Sequence, residues 1–220
     1  MSRTNAISVR PVAAVCVVLA SVWGNVPAIA AGSGDQSVQS AKAARELISY
    51  ELTRYAIDTK QEFASFIAKF EQAVPPFNLG AITAGVKNWD DVVANTAKAA
   101  PHSFLIYSRL PGSELFRIHG VGFDKRRGIG YLMGNHVIAE TMYRNYPGAI
   151  LNAPLRVHIF ENESGNAVFQ IERPSDHFGS FGDKDIAAVG SLLNGKLIDL
   201  FKVLDVPVPA SLAGTLPSRP

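Results

Sequence analysis

Cysteine is almost absent from the chain, and its one thiol lies in a segment that we expect to be removed. Cys16 is the only cysteine among 220 residues, and it sits in an apolar N-terminal stretch. Without it, the mature protein has no thiol, which excludes disulfides, thiolate nucleophiles, iron–sulfur clusters and thioether-linked haem. About 190 remaining residues must rely on a hydrophobic core, and a chain of that length can bury one.

Long apolar runs are also scarce, and the one present is typical of a secretory signal peptide. Residues 1–30 hold two arginines and no acidic residue, continue as an apolar stretch, and end on Ala28-Ile29-Ala30. This order predicts cleavage after about residue 30. The stretch is short for a bilayer span, so we expect an exported protein, periplasmic or secreted, with no stable membrane span after cleavage. A retained N-terminal anchor and lipid attachment at Cys16 are the alternatives.

An excess of either charge sign is missing too. The chain has 21 basic and 19 acidic residues, and removal of Arg3 and Arg10 with the N-terminal segment leaves 19 of each. A neutral protein has no global field that draws it toward phosphate backbones. The one basic run, 125–127, is bracketed by Asp124 and glycines. We therefore predict a solvated loop there and no binding of nucleic acid.

Sequence patterns of well-known catalytic sites are not found. The glycines of 128–134 superficially suggest a dinucleotide fingerprint, but the first two precede the predicted strand instead of following it. Asp176, His177 and Ser180 have the residue types of a hydrolase triad, but Ser180 lacks the glycine of a nucleophile elbow. These absences favour a protein that is not an enzyme, and no cofactor is implied.

Hydrophobic periodicity predicts an α+β domain, a two-layer sandwich of a mainly antiparallel sheet with helices packed on one face. Its first helix is expected to follow a capping box formed by Thr59 and Glu62. Gly190 and Gly195 interrupt the last helix and are expected to mark close approach to another element. Further strands are predicted over 51–57, 104–109 and 129–133, further helices over 88–100, 135–146 and 186–204, and a strand or loop edge over 115–119.

A β-hairpin with a polar face is the clearest local prediction. Apolar residues alternate along both of its strands, and only a three-residue loop over 163–165 places the two apolar faces on the same side. That register pairs Arg156 with Glu172 and His158 with Gln170. The face is either a solvated surface with a cross-strand ion pair or the wall of a ligand cleft or subunit interface.

The turn after the third strand is a second candidate site. Gly134 ends the strand, Asn135 is suited to cap the next helix, and the free amides of that helix start could alternatively hold an anion. His136 and Glu140 lie four residues apart on one helical face, a spacing found in metal pairs. With His158 as a third ligand, they make a metal-binding protein or metal-dependent enzyme the alternative function.

Three features together carry a family resemblance: the strand running into Gly134-Asn135, a hairpin led by Pro154-Leu155-Arg156, and an exit at Pro174-Ser175. This block resembles the family called domain of unknown function 302. The resemblance covers about 50–205 and implies an α+β fold, but no reaction, because the family has no agreed activity.

Family members also share the arginine found here as Arg156, whereas most have proline in place of His136. Relative to the shortest members, this chain has an insertion at about 76–102. The remaining organisation is a signal peptide over 1–30, a flexible, weakly helical lead over 31–49 and an unpacked, proline-rich tail over 206–220.

These observations favour an exported, non-catalytic domain that binds a small ligand or acts as an accessory module. The resemblance and the apolar sheet also predict self-association as a homodimer. The candidate ligand-binding residues are Gly134, Asn135, His136, Arg156, His158, Gln170 and Glu172.

Overall fold

The computed structural model describes residues 48–119 and 126–214. The predicted signal peptide and the first 17 residues of the predicted lead, 31–47, lie outside these ranges. The strands are β1 (Arg54–Glu62), β2 (Leu105–Leu110), β3 (Gly128–Gly134), β4 (Leu155–Glu161) and β5 (Asn166–Glu172). The helices are α1 (Phe63–Ala73), α2 (Leu79–Thr83), α3 (Trp89–Ala99), α4 (Gly112–Ile118), α5 (His136–Tyr143), α6 (Pro174–Gly179), α7 (Lys184–Val203), α8 (Ala210–Ala213) and a 3-10 helix (Pro147–Asn152).

The five strands form one sheet in the order β1-β5-β4-β3-β2, and every neighbouring pair is antiparallel. The α+β prediction is therefore confirmed. Within the hairpin, Val157 lies opposite Ile171 and His158 opposite Gln170. The predicted register and three-residue loop are correct, and Gly165 has the positive φ of 79° that such a loop needs.

One face of the sheet carries the hydrophobic core. Alternate residues of the strands point into it because successive side chains of a strand face opposite ways. The α1 helix packs there through Phe70, whose ring meets Tyr131 edge-on at 5.0 Å, and α7 packs through Phe201, 5.2 Å from Phe169. The core members contributed by the three central strands are Leu155, Val157, Ile159, Ala167, Phe169, Ile171, Ile129, Tyr131 and Met133.

The α4 helix lies at the other face of the sheet, so the described helices are not all on one side. Its Ser113 side chain bonds to both backbone groups of Gly128. It also lines a cavity with His158 and Phe160, whose side chains alternate with the core residues of β4. The strand or loop edge predicted over 115–119 is wrong, because this segment is mostly helical.

The start of α1 differs from the predicted capping box. Glu62 is itself the N-cap, and its carboxylate accepts hydrogen bonds from the amides of Ala64 and Ser65. Those bonds lower the pKa of Glu62 to about 2. Thr59 is part of β1 and donates to the carbonyl of Ala167, so β1 extends past the predicted strand end and the helix begins directly from it.

Two segments pack differently from their sequence expectation. The apolar face of α3 buries only Thr96, while Trp89 and Val93 remain exposed. The tail was expected to be unpacked, yet Val206 and Leu212 are buried against the core. The described part of the tail, up to residue 214, is therefore part of the domain.

No helix in the described ranges combines the length and hydrophobicity needed to cross a bilayer.

The two glycines of α7 differ in their surroundings. A Cβ atom at Gly190 would lie 2.9 Å from the Cα of Ser175 and 3.0 Å from the Cβ of Phe178, because α6 crosses α7 at this point. A Cβ atom at Gly195 would meet nothing within 4 Å. The close approach of α6 therefore explains the glycine at position 190, whereas no neighbouring atom requires a glycine at position 195.

These surroundings predict opposite effects of alanine at the two positions. Gly190→Ala should lower the free energy of unfolding by about 1–3 kcal/mol, since the helices must move apart. Gly195→Ala, the matched control in the same helix, should raise it by up to about 1 kcal/mol through better helix propensity. Urea denaturation of both variants measures the effects, and equal effects would contradict the packing argument.

Candidate functional site

An apolar cavity of about 280 Å³ lies at the end of the sheet where β3 gives way to α5. Ligand sites are concave and largely apolar with a few polar groups, and the lining of this cavity marks it as a candidate site. It brings together the predicted residues Gly134, Asn135 and His136 with residues from five other segments. The rest of its lining is Tyr107, Ile138, Ala139, Met142, Ile150, Ala153, Pro154, Leu155, Phe178 and Leu193.

A β-bulge in β2 positions Tyr107 at this cavity. Ile106 pairs with Met133 and Ser108 with Leu132, so Tyr107 is an extra residue without a partner in β3. Bulges of this kind redirect a side chain and are common beside functional sites. Phe77 stacks on the Tyr107 ring at 4.7 Å and holds it in place.

A chain of hydrogen bonds connects Tyr107, His136 and Thr96. The Thr96 hydroxyl lies 2.7 Å from both the Val92 carbonyl and His136 Nε2, and both hydrogen bonds form together only when it donates to Val92 and accepts from Nε2. The neutral His136 ring therefore carries its hydrogen on Nε2. Its Nδ1 then accepts from the Tyr107 hydroxyl at 2.8 Å.

Partial burial determines the charge state of both groups. It lowers the pKa of His136, which favours the neutral ring. It also raises the pKa of Tyr107, an effect larger than the opposing influence of the nearby His136 amide. At neutral pH the polar end of the cavity therefore consists of an uncharged imidazole and a protonated phenol.

Asn135 caps α5 as predicted and leaves few free amides at the helix start. Its side-chain oxygen accepts from the amides of Val137 and Ile138, and its carbonyl accepts from the amide of Ala139. Its side-chain nitrogen donates to the carbonyl of Ser103. The amides of Val137, Ile138 and Ala139 are thus already bonded within the protein, and the His136 amide faces the Tyr107 oxygen, so the geometry favours the capping role.

The other four candidates, Arg156, His158, Gln170 and Glu172, share the opposite face of the sheet. They line a shallow cavity of about 190 Å³ together with Arg54. Glu172 is its centre: its carboxylate accepts from Arg54 at 2.7 Å and from Arg156 at 3.1 Å.

Glu172 also contacts a histidine that the hairpin pattern did not indicate. His177 Nε2 lies 3.2 Å from the Glu172 carboxylate, and Tyr50 lies 3.2 Å from His177 Nδ1. Burial alone would raise the pKa of Glu172, but the Arg54, Arg156 and His177 contacts lower it overall. This network is an ion-pair cluster whose charged groups satisfy one another.

The predicted metal ligands are not gathered at one point. His158 lies opposite Gly130, whereas His136 follows Gly134, roughly 13 Å farther along the strand. Glu140 pairs with Arg144. Within the described ranges, no group of three or more His, Cys, Asp or Glu residues is placed to hold a metal ion. The metal hypothesis therefore gains no support from this arrangement.

Sequence reasoning missed Tyr107, Thr96 and His177 as members of these sites. Tyr107 and Thr96 were assigned only to a strand and to a helix face, and neither pattern indicates a bulge or a histidine partner. His177 was noted beside the possible triad, but its contact with Glu172 depends on α6 turning back across the end of β5. Pro174 at the start of α6 was the one available signal, since proline favours the first turn of a helix.

Comparison with known proteins establishes neither a family nor a function for this chain. No family model matches the chain, and no curated protein matches it. Among solved structures, it is similar to an uncharacterized conserved DUF302 protein from Bacillus stearothermophilus, with 12% identity and a TM-score of 0.49. The match covers 69% of this chain and 95% of that one. Similarity at this level does not establish family membership, which stays a prediction.

The lowered pKa of His136 predicts that acid destabilises the protein. An unfolded histidine takes up a proton near pH 6.5, while the folded ring does so only at lower pH. Unfolding therefore takes up protons in this window, and the free energy of unfolding should fall as the pH drops from about 6.5 toward 5. The lowered pKa of His158 acts in the same direction, whereas Glu62, with a pKa of about 2, acts at much lower pH.

An NMR titration of the His136 ring should give a midpoint below 6.5, and His136→Gln should flatten the pH dependence of urea denaturation between pH 7 and 5. His158→Gln should also flatten it, since burial lowers the pKa of His158 too, and the double variant should flatten it further than either single one. A midpoint above 6.5, or an unchanged slope in His136→Gln, would contradict the assignment of a neutral, buried ring.

Proposed function

We propose that the protein binds a small apolar molecule in the cavity beneath α5 and does not transform it. The observation that carries the proposal is the lining: apolar side chains on most sides and one uncharged polar end at Tyr107 and His136. Ligand sites commonly combine an apolar enclosure with a few fixed polar groups. The volume of about 280 Å³ is near the lower end of such sites, which favours a small ligand.

The groups at the cavity support binding over catalysis. None of the described residues that line it is Asp, Glu, Lys, Ser or Cys. Both ring nitrogens of His136 have partners, and the raised pKa of Tyr107 keeps its hydroxyl protonated. A general base or nucleophile needs a free lone pair at the reacting atom, and neither group supplies a strong one.

The cavity is favoured over the polar sheet face because the charged groups of that face already bond to one another. On that face, Arg156 and Glu172 already bond to each other, so a ligand would have to break an existing ion pair. Apolar surface in the cavity gains free energy from any apolar ligand that covers it.

Filling the cavity from within should weaken ligand binding. Ala139 lines the cavity from α5, and Ala139→Leu places three further carbon atoms there. Overpacking of about 1–3 kcal/mol should weaken binding by about 5- to 150-fold. Ala94→Leu is the matched control, because Ala94 is exposed on α3. The probe is benzothiophene, followed through ¹³C-labelled methionine methyl groups.

Met142 lines the cavity and should show a saturable chemical shift change, whereas the buried Met133 is not part of the lining and serves as an internal reference. The wild type and Ala94→Leu should bind the probe equally. No saturable change at Met142 in the wild type, or full binding by Ala139→Leu, would refute the proposed function.

We also propose that the protein is exported and self-associates. The composition of residues 1–30 supports export, and the exposed apolar side chains Leu110, Leu115 and Ile118 beside the open sheet face support association. Native mass spectrometry of the full chain expressed with its N-terminal segment should show a species that begins near residue 31, as a dimer.

The same spectrum tests export, self-association and the metal hypothesis. Retention of residues 1–30 would contradict export, and a monomer at high micromolar concentration would contradict self-association. Additional mass equal to a metal ion, lost in His136→Ala, would favour the metal alternative over the proposed cavity ligand.

A further inference from the structure

The hydrogen bonds at the polar end of the cavity run in one direction. Thr96 donates to Val92, His136 donates to Thr96, and Tyr107 donates to His136. Each hydroxyl and ring hydrogen in this chain is bonded to the next group along it, and the last one is bonded to the Val92 carbonyl. The Tyr107 oxygen faces the His136 amide with one lone pair and keeps the second, because a phenol oxygen has two lone pairs and one hydrogen.

This direction is costly to reverse. If Tyr107 turned its hydrogen toward a ligand, His136 Nδ1 would lose its only donor. Moving the ring hydrogen to Nδ1 restores both partners only if the Thr96 hydroxyl turns from Val92 to Nε2. The reversed chain therefore gives up the Thr96–Val92 hydrogen bond, and this loss is unfavourable.

The other lining residues require no further polar group in the ligand. Both ends of the Asn135 side-chain amide already bond to the backbone. No charged side chain is among the described lining residues, and an ion buried without a partner is strongly unfavourable. An anionic ligand would also place its charge beside the Tyr107 lone pairs.

We infer that the ligand of this cavity is a small, uncharged, largely apolar molecule with one hydrogen-bond donor, such as the N–H of an indole or the O–H of a phenol. The donor bonds to the Tyr107 oxygen while the apolar body contacts side chains such as Met142 and Phe178. This inference rests on the proposed function and adds the chemical class of the ligand.

Indole and benzothiophene test it, because they have nearly the same shape and only indole carries an N–H donor. Tyr107→Phe removes the acceptor oxygen and keeps the ring that stacks on Phe77. It should weaken indole binding by about 3- to 10-fold, the size of one net hydrogen bond. Benzothiophene binding should change by less than about twofold, and the Met142 methyl signal measures both.

A second variant tests the direction of the hydrogen-bond chain without changing a residue that lines the cavity. Thr96→Val has the same shape but gives Nε2 no partner, so His136 is free to carry its hydrogen on Nδ1 and Tyr107 is free to donate. Indole should lose its advantage in Thr96→Val although Tyr107 is present. Long-range ¹⁵N NMR should show the Nε2–H form of His136 in the wild type and a mixture in this variant, which a merely structural role of Thr96 would not produce.

The outcomes separate this inference from the proposed function. If wild type binds benzothiophene and Tyr107→Phe weakens both probes equally, or the wild-type ring carries its hydrogen on Nδ1, the donor inference is overturned while the cavity function stands. If neither probe binds the wild type, both fail. A selective loss of indole binding in both variants supports the inference.

Discussion

The register of β3, β4 and β5 is the constraint on which both candidate surfaces depend. Because side chains alternate across a sheet, one pairing sends Val157, Ile159 and Phe169 into the core and their neighbours to the opposite face. A shift by one residue would bury Glu172 and expose the core. The same register ends β3 at Gly134, opposite Pro154, and so determines where α5 begins.

From that point, Asn135 and Tyr107 build the cavity. Asn135 ends the strand and starts the helix with a single side chain, whose nitrogen also ties the segment to Ser103. Tyr107 reaches the helix start because β2 carries a bulge, and β2 is an edge strand whose Ile106 bonds to both Pro75 and Phe77. Phe77 then stacks on Tyr107, so the segment that covers the sheet edge also fixes the tyrosine ring.

Much of the fold could be predicted from the sequence because it follows from the alternation of side chains along the strands and from helix capping. The hairpin register, the Asn135 cap and the crowding at Gly190 depend on neighbours in the chain or on one partner element. The Tyr107 bulge could not be predicted, because nothing in the local sequence of β2 indicates it, and it lies beside bonds to a segment about 30 residues earlier in the chain. The α4 helix was missed because its exposed Leu115 and Ile118 lack the one-sided pattern of a buried helix face.

The two surfaces differ in how their polar groups are satisfied, and this difference separates a structural network from a binding site. Around Glu172, opposite charges meet at the protein surface, where such pairs contribute little and are screened by salt. In the cavity, uncharged groups form a directed chain that starts at the Val92 carbonyl and ends with a lone pair on Tyr107. A satisfied network needs no ligand, whereas a chain that ends on an acceptor beside apolar walls is complementary to a donor with an apolar body. The candidate residues predicted from the sequence divide by this criterion. Gly134, Asn135 and His136 line the cavity, whereas Arg156, His158, Gln170 and Glu172 line the polar sheet face.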